Sequence, residues 1–197
     1  MRRTLSLFTL LLIASALPLT ASQFIEQPFD QVAREASLVV RGTVGNTWSA
    51  WDDSHEVIYT YATLNVTRYF GETTGPDTVV VREVGGTVDG YTQEAIGFPV
   101  IRSGEEVVLL LSKWEDSADY RIHAYNQGKY LVKKSGPDII LTEDPVKQGD
   151  TRSDTDREHG PRTNAVASTP AGLRLEEFAQ MVDDARSARH TDAGKRQ

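Results

Sequence analysis

The sequence predicts a mainly β domain, a small closed barrel carrying a short N-terminal helix and a C-terminal helix. Three observations lead there. Apolar and polar residues alternate over several short segments between Ser37 and Thr142, with glycine, proline and aspartate clusters between them. One segment, EVIYTYATLNVTRYF at residues 56–70, is long enough that it must coil or bend, as barrel strands do. Another, EEVVLLLSKW at 105–114, is uninterruptedly apolar at its centre, which suits a strand buried on both faces.

The chain of 197 residues opens on a secretory leader by its physics. Arg2 and Arg3 form a positive start, Leu5 to Ala16 an apolar stretch too short to span a bilayer, and Pro18 ends it before the small residues Thr20, Ala21 and Ser22. Removal of residues 1–21 is expected, and a secreted or periplasmic location with it. Loss of Arg2 and Arg3 takes the formal charge from −7 to −9. Phosphate backbones and anionic membranes repel such a chain, so neither nucleic acid nor a stable membrane anchor is expected among its partners. There is no cysteine, which excludes thiol catalysis, thiolate zinc sites and disulfides.

The expected barrel domain covers residues 22–142. Phe29, Val32, Ala33 and Ala36 recur at helical spacing behind Pro28, so a short helix leads into the first strand. In that strand Leu38, Val40, Gly42 and Val44 share one face. In the long second strand Ile58, Ala62, Leu64, Val66 and Phe70 share the inner face, while Tyr59, Tyr61 and Tyr69 share the outer one. TVVVREV is the third strand. The glycines of VGGTVDGY, Gly85, Gly86 and Gly90, are expected to allow a bulge and a long irregular crossover at a barrel rim. After the doubly buried run come DYRIHAYN, KYLVKK and a short IILT strand. Residues 143–172 are charged and poorly apolar, which reads as a flexible linker. Leu175, Phe178, Val182 and Ala185, with Met181, then mark a helix at 173–188 before a disordered tail at 189–197. Five or six strands of this kind suit an OB-type Greek-key barrel; a β-sandwich is the alternative that strand spacing leaves open.

Ala36 to Val44, the Phe70-Gly71 turn and the GEEVVLLLSKW run resemble the netrin-like OB domain of the tissue inhibitors of metalloproteinases. A second resemblance is to cysteine-free bacterial secreted proteins, some carrying a matrixin-type peptidase domain downstream. Its carriers are Gly85, Gly86, Gly90, Gln93, Gly97, Pro99, Gly104, Glu105 and Glu106, then Gln127, Gly128, Lys129 and Tyr130. The likeness spans residues 27 to 134 and implies the barrel fold and a secreted peptidase as partner class. The metalloproteinase inhibitors hold the protease zinc through an N-terminal cysteine. This chain has none, so that chemistry is not available to it.

Little points to catalysis. His55, His123, His159 and His190 form no HExxH, and neither a G-x-S-x-G elbow nor a Walker A loop occurs. His123 is expected on the barrel exterior. Asp52, Asp53, His55 and Glu56 could gather around calcium, but a solvated turn explains them better. A non-catalytic binding protein without cofactor or metal is therefore expected, with a protein partner or, alternatively, a carbohydrate or small ligand. Its candidate binding residues are Asp89, Tyr91, Gln93 and Phe98 in the glycine-rich loop and Trp48 and Trp51 at the first hairpin. The outer aromatics are expected to lie under the C-terminal helix, with an open stacking surface as the alternative.

Overall fold

The computed structural model describes residues 26–71, 74–144 and 170–193. The leader, most of the linker and the end of the tail lie outside the described residues. Helix α1 (Phe29–Glu35) starts at Pro28 and buries Phe29, Val32 and Ala33. Five strands then close a barrel. These are β1 (Leu38–Trp51), β2 (Ile58–Tyr69), β3 (Thr78–Val84), β6 (Glu106–Lys113) and β7 (Tyr120–Ile122). Their order is β1-β2-β3-β7-β6, and β6 returns to β1. All pairings are antiparallel except β3 with β7. One five-strand ring with a single parallel seam is the OB arrangement.

Two hairpins extend the ring. β4 (Gly86–Val88) and β5 (Tyr91–Gln93) form one between β3 and β6. The glycine segment is thus an ordered hairpin where an irregular crossover was expected. Asp89 and Gly90 have φ of +51° and +83°, the two left-handed residues that a two-residue turn between twisted strands requires. β8 (Lys129–Ser135) takes over the edge of β6 where β7 leaves it, and pairs onward with β9 (Asp138–Glu143). Between β7 and β8 a 3₁₀ turn, Tyr125–Gly128, steps out of the sheet. A Cβ at Gly128 would stand 2.1 Å from the His123 carbonyl oxygen, so no larger residue fits beneath that step.

β6 is buried on both faces, as its composition predicts. Val107, Leu109 and Leu111 point into the barrel with Leu38, Val40, Val44, Ala62, Leu64, Val79, Val81 and Ile122. Val108 and Leu110 point outward into a second core with Phe29, Val32, Val39, Phe70, Tyr130 and Leu141. Helix α2 (Leu175–Ala193) closes this second core; it starts two residues later and ends five residues beyond the expected bounds, so residues 189–193, expected in a disordered tail, are helical. Phe178 is fully buried there, its ring 5.4 Å from Phe70, 5.6 Å from Phe29 and 6.0 Å from Tyr130. Arg186 ties α2 to α1 by donating to the carbonyls of Ala33 and Ala36 at 3.2 and 3.0 Å, the second of which caps the end of α1.

One expectation about faces is corrected. Phe70 was assigned to the barrel interior with Ile58 and Leu64. Instead Val40 pairs with Tyr69 and Gly42 with Val66, leaving Thr67 as an extra residue in β2. This bulge shifts the alternation by one, so Tyr69 packs against the barrel core and Phe70 against the helices.

The parallel seam carries a buried acid. β3 and β7 are paired only at Val81 and Tyr120, and the Glu83 carboxylate accepts the Ile122 backbone N–H alongside. Glu83 is 4% exposed, and burial raises its pKa from 4.5 to about 8 against the opposing pull of the Ile122 N–H and Arg121. The folded chain therefore holds a proton that the unfolded chain has lost between these values. Stability should fall as pH rises from about 4.5 to about 8, with the full cost present above that window. Glu83→Gln should flatten this slope, read as urea midpoints from pH 5 to 9. Phe178→Ala should cost about 3–5 kcal/mol in the same melts.

Candidate functional site

The outer surface of β1, β2 and β3 carries a row of aromatic and arginine side chains. In β1, Gly45 and Asn46 form a bulge, since Val44 faces Leu64 and Thr47 faces Ala62. The bulge reverses the alternation and turns Trp48 outward, opposite Tyr61. Their rings stack at 5.4 Å and 8°, with Trp48 45% exposed. Tyr61 faces Arg82 on β3. The Arg82 guanidinium lies 4.9 Å from the Tyr59 ring and 4.4 Å from the Trp114 ring, and Asp116 fixes it at 2.7 Å. Trp114 donates its indole N–H to the Arg82 carbonyl at 3.1 Å, and the Arg121 guanidinium also lies over its ring at 5.1 Å. Trp48, Tyr61, Arg82, Tyr59, Trp114 and Arg121 thus form one continuous ladder across the barrel. It spans the central strands and the loop after β6, the surface that OB barrels use for ligands.

The expected cover over these aromatics is not there. α2 packs instead on α1 and beside β9, against the second core. The reason is area: Leu175, Phe178, Val182 and Ala185 bury completely on the apolar outer face of β6 and α1, whereas the β1–β2–β3 face interposes Arg82 and tyrosine hydroxyls.

The six expected binding residues separate into three places. Trp48 alone belongs to the ladder. Trp51 lies three residues on and so faces the opposite side of the β1–β2 hairpin, where its ring meets Tyr91 edge-on at 6.1 Å and His55 at 6.1 Å. Tyr91 is 67% exposed. Gln93 is structural: its Oε1 accepts the Ile58 N–H at 2.6 Å and clamps the β4–β5 hairpin to β2. Asp89 is the first residue of the turn. Phe98 leaves the hairpin and packs edge-on against Tyr125 at 4.9 Å. Tyr59, Tyr61, Arg82, Trp114 and Arg121 complete the face. The shared parity of Tyr59 and Tyr61 signals it in sequence, whereas Trp114 and Arg121 reach it only through the fold.

Other polar clusters have structural partners. Asp52 accepts from Ser54 Oγ at 2.7 Å and from the N–H groups of Glu56 and Val57 at 2.8 and 3.1 Å. The Ser54 bond first, then these N–H groups, hold its carboxyl below the usual range, which makes the acidic loop a self-capped turn. His123 lies outside the barrel, as expected, but partly under α1, with Nδ1 2.6 Å from Ser112 Oγ and Nε2 3.6 Å from Glu35. Burial lowers its pKa. The motif residues Glu105 and Lys129 meet in an ion-pair cluster below β8, and Gln127 exchanges two hydrogen bonds with the Gln27 backbone. Among the described residues, no group of three or more His, Cys, Asp or Glu side chains is placed to share a metal ion, and no helix is long and apolar enough to cross a membrane.

No family model matches this chain, and neither a curated protein nor a solved structure is similar to it.

Arg82 and Trp48 should respond differently to truncation. Arg82→Ala unstacks Trp114 and removes a largely buried side chain from between Tyr59 and Trp114, and should destabilise by about 1–2 kcal/mol with a red shift in tryptophan emission. Trp48→Ala, at a half-exposed position, should cost about 1 kcal/mol or less.

Proposed function

We propose that this chain is an exported, non-catalytic OB-type binding module that recognises a partner protein through the Trp48–Tyr61–Arg82–Trp114 face. The observation that carries this reading is the uncovered aromatic and arginine ladder. Tryptophan, tyrosine and arginine supply most of the binding energy at protein interfaces, because they bury large areas with little loss of side-chain freedom. Here the arginine is already held between rings and by Asp116, so little ordering remains to be done on binding. The export half of the proposal rests on the leader-like residues 1–21. A secreted peptidase is the partner class that the netrin-like resemblance implies, by contacts other than zinc chelation. A carbohydrate ligand is the second reading, favoured by the flat Trp48–Tyr61 stack, which presents a planar ring to solvent as sugar faces require.

The test is a paired measurement. Proteins retained from native extracellular fractions would be identified, purified and titrated against the wild-type chain and Trp48→Ala. A loss of roughly 10- to 30-fold is expected, with the fold unchanged by circular dichroism. Equal affinity of both chains would remove the face from recognition. Saturable quenching of tryptophan emission by a defined oligosaccharide, with no protein partner retained, would transfer the assignment to carbohydrate.

A further inference from the structure

The ion-pair cluster around Lys129 has the composition of a condensation site. Lys129 is fully buried. Its Nζ donates to the Val100 carbonyl, to Glu105 Oε2 at 2.7 Å and to Asp144 Oδ2 at 2.8 Å. Tyr130 pairs with Glu143, so Lys129 and Asp144 occupy the next step of the β8–β9 register. Asp144 is 11% exposed and Glu105 17%. A primary amine and a carboxyl are thus held together away from water, with a second carboxyl beside both.

We propose that Lys129 and Asp144 join in an intramolecular isopeptide bond, with Glu105 carrying protons between them. Transfer of a proton from Nζ to Glu105 turns an ion pair into a neutral amine and a neutral acid without changing the net charge of the cluster; it is an uphill step, because burial raises the Glu105 carboxyl but Lys129 and Arg102 together hold it below the usual range. Glu105 passes this proton on to Asp144, and the amine lone pair then attacks Cγ of the neutral Asp144 carboxyl. A near-attack separation is about 3–3.5 Å, and Nζ already lies 2.8 Å from the oxygen bonded to that carbon. Arg102, 3.0 Å from Glu105 and 3.9 Å from Asp144, is placed to stabilise the tetrahedral oxyanion. Glu105 takes up the second proton from Nζ and delivers it to the departing hydroxyl. The Nζ–Cγ bond forms, a Cγ–Oδ bond breaks, and one water leaves. The ammonium and carboxylate supply every atom of the amide and the water, so no oxidant or other reagent is needed. The bond would lock the β8–β9 hairpin at its open end in a chain that has no cysteine for a disulfide.

Intact mass decides the matter. Wild-type protein, purified folded and then denatured in guanidinium, should weigh one water less than the linear chain. Trypsin should release a branched peptide joining the segments that contain Lys129 and Asp144. Glu105→Gln should recover the full mass with native circular dichroism. Should that variant fail to fold, Asp144→Asn gives an independent reading, because the same bond then expels ammonia in place of water. Folded wild-type protein at its full mass, or a mass loss without the Lys129–Asp144 branch, overturns the proposal and leaves Lys129 as the centre of an ion-pair cluster.

Discussion

Burial of β6 on both faces is the constraint on which the rest of this structure depends. A strand reading Val107-Val108-Leu109-Leu110-Leu111 has no side that tolerates water, so two apolar layers must form around it. The barrel supplies the first. It closes because β6 pairs with β1 on one edge and with β7 and then β8 on the other. The helices supply the second layer, with Phe178 seated among Phe29, Phe70 and Tyr130. α1 and α2, far apart in sequence, share a single hydrophobic target, which is why α2 packs there and not over the tyrosines of β2.

That partition leaves the opposite side of the barrel uncovered. A closed ring offers few strand edges for pairing with other chains, so the recognition proposed above rests on side chains standing on the sheet. On the open face these side chains hold one another in place. Arg82 is held by two rings and a carboxylate, and Trp114 by the carbonyl of Arg82 and the guanidinium of Arg121. Rigidity of this kind lowers the entropic cost of binding.

The buried polar groups each fasten a place where the sheet is weak. Glu83 supports the parallel seam where backbone pairing is shortest. Lys129 gathers Val100, Glu105 and Asp144, which come from the loop before β6 and the residue after β9. Gln93 holds the β4–β5 hairpin onto β2. Two motif residues that invite a functional reading, Gln127 and Gly128, are accounted for by hydrogen bonding and packing.

Local chemistry made much of the architecture legible. Period-two alternation located the barrel strands, helical spacing located both helices, and the unbroken apolar run identified β6 as doubly buried, because these signals depend only on which residues must avoid water. The burial of Glu83 depends on the β3–β7 seam, which no single segment of the sequence shows, whereas the Asp89-Gly90 pair is a local hairpin signal. What neighbouring residues could not settle was facing. Alternation assigns sides only while a strand stays regular, and the bulges at Gly45–Asn46 and Thr67 reverse it. They turn Trp48 out to Tyr61 and Phe70 out to the helices. Trp114 and Arg121 join Arg82 only because β7 closes beside β3. The sequence alone thus determined the barrel strands, the helices and the doubly buried β6. The tertiary structure alone decided which aromatics share the open face, because a bulge is set by pairing between strands and not by the residues along one of them.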